Sequence, residues 1–218
     1  MNKKRILKII GIILLIIIVI VLIHTIRNYT IITDLQNKVS KYAECTNYYT
    51  KSISTENGTE VTIEYYRKDQ KEVLKLVRDF EGKTAKMTFY NNGERVDTFW
   101  DNEEGKTAKL NNSTSFMQIN IYNFLETDNK WQTFLGSITA RIKSTECNGK
   151  QCYEIKGFLS TTSLTEKDSR VYIDKDTGLY VKAVGDDMTM EREYEFNNVD
   201  DSIFVEPDIS QYTLKEKI

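Results

Sequence analysis

Hydrophobic and polar positions along this chain change their period twice, first from an unbroken apolar run to a helical stripe, then from that stripe to strict alternation. From Ile9 to Ile23 the residues read IIGIILLIIIVIVLI, and the apolar character reaches from Ile6 to Ile26, 21 residues in all. At about 1.5 Å of rise per residue, a helix of that length crosses a hydrocarbon core of about 30 Å. Thr33, Asp34, Leu35 and Gln36 then offer a capping-box pattern, and Leu35, Val39, Tyr42 and Ala43 recur at helical spacing to about Cys45. Two outcomes stay open: a fresh helix packed on a sheet, or one rod from Ile6 to Cys45, since neither Gly nor Pro interrupts that stretch after Gly11.

From Tyr48 the period becomes two. Val61, Ile63 and Tyr65 alternate with polar residues, followed by Leu74 and Leu76, then Met87 and Phe89, then Val96, Thr98 and Trp100. That pattern predicts half-buried antiparallel strands. Asn57-Gly58, Glu81-Gly82, Asn92-Gly93 and Glu104-Gly105 stand between them as turns of a meander. Ser115 to Leu125 and Asp128 to Leu135 break the alternation and read as short helices or a helical loop. The meander then resumes, with Ile138, Ala140 and Ile142 expected opposite Tyr153 and Ile155. Val171 and Ile173 pair with Val181 and Ala183 across Lys175-Asp176-Thr177-Gly178, and Met188 to Phe196 forms a last long strand. The expected fold is mainly β within the α+β class: a transmembrane helix, then an antiparallel sheet of roughly ten strands with its few helices on one side.

Charge gives the apolar run a direction. Lys3, Lys4, Arg5 and Lys8 precede it or open it, and only Arg27 closely follows. The positive-inside rule therefore expects a cytoplasmic tip and an extracytoplasmic portion from Asn28 to Ile218. The exit, His24 to Ile32, contains neither an A-x-A cleavage pattern nor a lipobox cysteine, so the segment is expected to stay attached as a signal anchor in the cell membrane. Two regions result, 1–27 as tip and anchor and 28–218 as the exterior domain. Removing the four basic residues of the tip leaves 26 Lys and Arg against 32 Asp and Glu, a net charge of −6. Nucleic acid is excluded as a partner by that balance, and a lipid ligand would have to be held by hydrophobic contact.

Cys147 and Cys152 flank Asn148-Gly149-Lys150-Gln151, and Asn-Gly is a favoured hairpin turn. Outside the cytoplasm these two cysteines are expected to form a disulfide across the hairpin, leaving Cys45 as a buried thiol.

Candidate chemistry is sparse. The single histidine, His24, falls at the outer end of the apolar run, where an interfacial role is expected. Asp174 to Gly178 has its glycine at the wrong position for a calcium loop, and Gly185 stands where the closing glutamate belongs, so a plain turn is expected. No enzyme activity, cofactor or metal is expected. What remains is an apolar face: Val61, Ile63, Tyr65, Leu74, Leu76, Met87, Phe89, Trp100, Met188 and Met190 are the candidate ligand-binding residues. Periodicity alone leaves open whether that face is an open cavity or a packed core.

The order of these elements, with VYIDKDTGLYVKAV, EREYEFNNV and the ending SIFVEPDISQY, resembles the bacterial lipoprotein-carrier superfamily, the LolA-like and LppX-like unclosed barrels. In organisation the resemblance spans Asp34 to Tyr212. It implies a half-barrel whose concave face, covered by helices, holds acyl chains or a partner segment. Arg67, Arg78 and Arg95 all lie in strand-like surroundings, and none is matched to that family's functional arginine. The function expected is a membrane-anchored, extracytoplasmic binding protein for a lipid, an acyl chain or a lipidated partner. The alternative is an envelope interaction or regulatory protein that binds another protein through its sheet.

Overall fold

The computed structural model describes residues 3–56, 58–111, 129–157 and 169–215. In chain order these contain helix α1 (Lys3–Val39), a 3₁₀ turn (Ser40–Tyr42), strands β1 (Asn47–Glu56), β2 (Thr59–Lys68), β3 (Lys71–Phe80), β4 (Lys83–Asn91), β5 (Val96–Asn102) and β6 (Gly105–Asn111). Helix α2 (Lys130–Thr139) follows, then β7 (Arg141–Cys147), β8 (Lys150–Lys156), β9 (Arg170–Asp174), β10 (Tyr180–Val184) and β11 (Met188–Phe196). Short 3₁₀ turns at Asp201–Phe204 and Ile209–Gln211 lead to β12 (Thr213–Leu214). The protein is thus mainly β with one long apolar helix. The expected helical stretch Ser115 to Leu125 lies outside the described residues, whereas the one beginning at Asp128 is met by α2.

By internal contacts the chain forms two units, one of Met1–Ser40 with Tyr122–Leu179, the other of Lys41–Ile121 with Tyr180–Ile218. In the first, α1 is a single helix, which settles the choice left by the sequence in favour of the rod. Asp34 caps no second helix; its carboxylate instead meets the Lys38 ammonium one turn on, at 2.7 Å. The expected boundary at residue 27 therefore falls inside a continuous helix. Side chains from Leu7 to Ile23 are exposed, and then Thr25, Asn28, Ile32, Leu35 and Val39 are buried. Their spacing of three and four residues marks one stripe, and α2 packs against the helix that carries it.

The turn after β9 presses on the same helix. Gly178 has φ +75, and a Cβ there would run into the backbone carbonyl of Leu35 and lie 2.9 Å from the nitrogen of Val39. Only glycine fits. Asp174 closes this turn with its own carboxylate, accepting from the Asp176 amide at 2.9 Å and the Thr177 hydroxyl at 3.0 Å, and Lys38 donates to the Lys175 carbonyl at 2.7 Å.

Strands β7, β8 and β9 are adjacent in that order, with Ile142 opposite Ile155 as expected. Ile138, however, belongs to α2 and Ala140 caps it, so neither is in a strand. The cysteine hairpin also differs from expectation. Asn148 (φ 52) and Gly149 (φ 73) form a two-residue turn, which places Cys147 opposite Lys150 and Cys152 opposite Thr145. The two cysteines are diagonal neighbours rather than a facing pair, and they are not bridged. Diagonal positions on one face lie about 7–8 Å apart at Cα, beyond comfortable disulfide reach. Burial pushes the Cys152 thiol up to about 11, which leaves almost no thiolate at neutral pH. We expect the half-buried Cys45 to be alkylated first in the native protein, and all three thiols to react after denaturation without reductant. A mass increase on reduction of the untreated protein would contradict this.

The second unit orders its strands β12-β6-β5-β4-β3-β2-β1-β11-β10. All registered neighbours are antiparallel except β12, a two-residue parallel partner of β6. With β7 to β9 of the first unit, the described residues contain twelve strands where roughly ten were expected, the additions including β1 and β12. One side of β3 to β6 carries Val73, Tyr90, Phe99 and Ala108, matched through the register. The C-terminal segment packs there, with the rings of Phe99 and Tyr212 5.1 Å apart and the Asp201–Phe204 turn against β3.

At the same end, Arg95 bridges the fully buried Asp97 (2.7 Å) and Glu206 (3.3 Å). Burial raises the Glu206 carboxyl above its ordinary value of 4.5, and the Asp97 charge adds to that rise, which Arg95 offsets only partly. A raised carboxyl favours the folded state most when protonated, so its contribution is present below the ordinary value and is lost as pH climbs through the shifted one. Glu206→Gln is expected to stabilise the protein at pH 7 and to do little at pH 4. Equal thermal shifts at the two pH values would contradict this.

Candidate ligand-binding face

The other side of the second unit's sheet is the side the alternating residues point to. Read across the strands, its first row is Phe196, Tyr48, Arg67, Glu72, Asn91 and Val96. The second is Tyr194, Thr50, Tyr65, Leu74, Phe89 and Thr98; the third is Arg192, Ser52, Ile63, Leu76, Met87 and Trp100. A fourth holds Met190, Ser54, Val61, Arg78 and Ala85, and Met188 follows opposite Glu56. All ten candidate residues therefore share one face. The register results from period-two alternation held over nine or ten residues, because a slip of one position would turn every apolar group to the other side.

Burial is graded along the strands. In the first two rows Tyr48, Glu72, Val96, Thr50, Tyr65, Leu74 and Thr98 are all buried. Tyr65 and Leu74 are 0% and 1% exposed. They belong to packed core, where no ligand touches them without repacking. The other eight candidates, Val61, Ile63, Leu76, Met87, Phe89, Trp100, Met188 and Met190, are only half-buried although their strands have neighbours on both sides. Ile63, Leu76, Met87 and Trp100 form an unbroken apolar row across four strands, about 14 Å at the usual strand spacing. Beyond it, Arg78 and Ala85 line a cleft of about 480 Å³ together with Lys83, Thr84, Asn102, Glu103 and Glu104.

Several hydrogen bonds hold the packed end. The Tyr65 hydroxyl donates to Glu72 Oε1 at 2.5 Å, and Asn91 Nδ2 donates to Oε2 at 2.7 Å. Arg67 is opposite both Tyr48 and Glu72, and the tyrosine and carboxylate beside it hold its guanidinium above its usual range. Burial and the Glu72 carboxylate push the Tyr65 hydroxyl far up, so it remains a donor. On β11, Arg192 Nε donates to the Ser52 hydroxyl at 2.6 Å while its guanidinium lies 4.4 Å from the Tyr180 ring centre. The Tyr194 hydroxyl donates to the Tyr180 carbonyl at 2.9 Å.

Thr50, in the middle of this cluster, is 1% exposed and its hydroxyl has no hydrogen-bond partner among the described residues. A buried hydroxyl without a partner is destabilising. Thr50→Val keeps the shape and removes it, and we expect a gain of about 1 kcal/mol in chemical denaturation; a loss of stability would show that the hydroxyl is satisfied.

The whole of β11 was expected as a strand, but the candidate residues drawn from the sequence left out β1 and the aromatic half of β11. The inward residues of β1 after Tyr48 are Thr50, Ser52 and Ser54, small and polar where an apolar signal was sought. Tyr194 and Phe196 do alternate with Glu193 and Glu195, and that signal was available in the sequence.

No protein-family model matches the chain, and no curated protein matches it. Among solved structures it is similar to an uncharacterized conserved protein from Thermus thermophilus, at 10% identity and TM-score 0.47, over 84% of this chain and 98% of that one. It is also similar to MucB, solved in complex with MucA(peri), at 12% identity and TM-score 0.34, over 78% of this chain and 58% of that one. A third is a LolA superfamily protein from Nitrosomonas europaea, at 10% identity and TM-score 0.22, over 80% and 97%. All three scores lie below one half.

Proposed function

We propose that this is a membrane-anchored, non-catalytic binding protein, and that its sheet takes an acyl chain, a lipid or the acyl group of a lipidated partner on the half-buried apolar row. One observation supports this above the others: Ile63, Leu76, Met87 and Trp100 line up across four strands, yet none of them is buried. A sheet of this kind normally covers such a row with its own chain, because each large apolar side chain gains about 1.5–3 kcal/mol on full burial. A bound hydrocarbon supplies the same contact. The apolar row, which ends at Ser52 with Arg192 on the next strand and has the Arg78 cleft beyond it, suits a chain with a polar head.

On this reading α1 crosses the cytoplasmic membrane through residues 6–26, with the basic tip inside and the sheet outside. Its support is the run of exposed apolar side chains from Leu7 to Ile23 on a helix long enough to span a bilayer. The full-length protein, purified in a mild detergent and analysed by native mass spectrometry, should carry an additional mass matching one lipid or fatty acid, released by organic extraction. Protein that carries no such mass and takes up no added fatty acid would remove this reading. A protein partner bound through the sheet would then be the surviving role.

A further inference from the structure

Past Trp100 the apolar row of the sheet runs into a corner of different chemistry. Thr107 is opposite Trp100 and Lys109 is opposite Thr98, so both continue the candidate face onto β6. The parallel partner β12 takes that face one strand further. Thr213 is beside Thr107, and the Lys215 amide donates to the Ala108 carbonyl at 2.9 Å, which continues the ladder and sets Lys215 beside Lys109. Ring contacts agree with this register: the Lys215 ammonium lies 5.5 Å from the Trp100 ring centre on the candidate face, whereas that of Lys106 lies 5.9 Å from the Tyr212 ring on the packed side. Charge in the corner is of one sign. The acidic residues of β5, β6 and β12 are Asp97 and Asp101, and alternation puts both on the packed side, where Arg95 and Lys106 meet them. Among the described residues neither Lys109 nor Lys215 forms an ion pair with a carboxylate.

Resting on the acyl-binding reading proposed above, we infer that the ligand is an amphiphile with an anionic head, a carboxylate or a phosphate ester, and that Lys109 and Lys215 hold this head while its chain lies over Trp100, Met87, Leu76 and Ile63. Two ammonium groups set side by side on neighbouring strands repel each other, and an anion between them turns that repulsion into attraction. Lysine brings a point charge on a flexible stem, so the pair accepts either oxyanion without a fixed geometry. Lys109 is half-buried and Lys215 exposed, which leaves the corner open to a hydrated head beside the apolar row. The two arginines nearest the row suit an anion less. Arg192 is engaged by the Ser52 hydroxyl and the Tyr180 ring, and the cleft at Arg78 is also lined by Glu103 and Glu104, whose carboxylates repel an anion. The bound chain thereby acquires a direction, its head at β6 and β12 and its methyl end toward β2.

The test measures displacement of a fluorescent fatty-acid probe from the full chain, held in a non-ionic amphipol, by hexadecanoate, hexadecyl phosphate and hexadecanol. At least one of the two anions should bind about tenfold or more tighter than the alcohol, the gain from one hydrogen bond to a charged group, and the tighter of the two tells which head the corner takes. Lys109→Gln combined with Lys215→Gln should abolish that preference while hexadecanol binds as before, and the corresponding pair of arginine substitutions should restore it. Equal affinity of all three compounds for the unmodified protein would overturn the inference and leave the acyl-binding reading standing. A preference that survives the two glutamine substitutions would overturn it too, and its loss in Arg78→Gln would move the head to the cleft. Binding of none of the three would overturn the acyl-binding reading as well. Should the glutamine variant fail to fold, a fatty acid with a diazirine beside its carboxylate locates the head in the unmodified protein. Adducts on β5, β6 and the Thr213 to Lys215 segment are expected, and adducts confined to β1 and β11 would contradict the inference.

Discussion

Met87→Asp is expected to abolish uptake of a fluorescent fatty-acid probe while leaving the β-sheet circular dichroism of the protein unchanged. Met87 is half-buried in the third row, so in the unliganded protein an aspartate there retains part of its hydration. A hydrocarbon laid across the row would strip that water, and an unpaired charge against an apolar chain costs several kcal/mol. A loss of about 3 kcal/mol corresponds to affinity weakened roughly 100-fold or more. Leu74→Asp one row away is the contrast. Leu74 is 1% exposed, and a charge there should unfold the domain. Met87→Asp with unchanged probe affinity would show that the ligand does not use this row.

The second large effect is expected at Asn28. Its amide serves two carbonyls at the end of α2, Ser137 and Ala140, from a fully buried position on α1. Asn28→Leu removes the side-chain donor from the Ser137 carbonyl, at a cost of about 1–3 kcal/mol, and leaves the Ala140 carbonyl with His24 Nε2 at 3.1 Å in place of two neighbours. We expect a loss of about 3 kcal/mol in denaturant unfolding, with α2 amides exchanging faster than those of β2 and β3. Uniform exchange throughout the protein would mean that the junction does not hold α2.

How much of this the sequence revealed depends on how local each feature is. The apolar face was legible because alternation in β2 to β5 is a property of consecutive residues, and the register carries Val61, Leu76, Met87 and Trp100 to the same side without further information. The grading of burial along that face was not legible, since Tyr65 and Leu74 are buried through cross-strand neighbours distant in sequence. The fused helix was readable from the absence of Gly and Pro after Gly11, while the Thr33 to Gln36 pattern pointed elsewhere because Asp34 can satisfy either a helix start or Lys38. The cysteine pairing failed on register: Asn148-Gly149 was recognised as a turn, but a two-residue turn puts Thr145, not Cys147, opposite Cys152. Asn28 gave no signal at all. Its role depends on residues more than a hundred positions away.

The central claim is that the half-buried row holds an acyl chain, and photo-crosslinking tests it most directly. A fatty acid carrying a diazirine near its methyl end, incubated with full-length protein and irradiated, should leave adducts that peptide mass spectrometry maps to the β2 to β5 segments containing Ile63, Leu76, Met87 and Trp100, and excess unlabelled fatty acid should suppress them. Adducts confined to α1, or spread without competition over both units, would contradict the account.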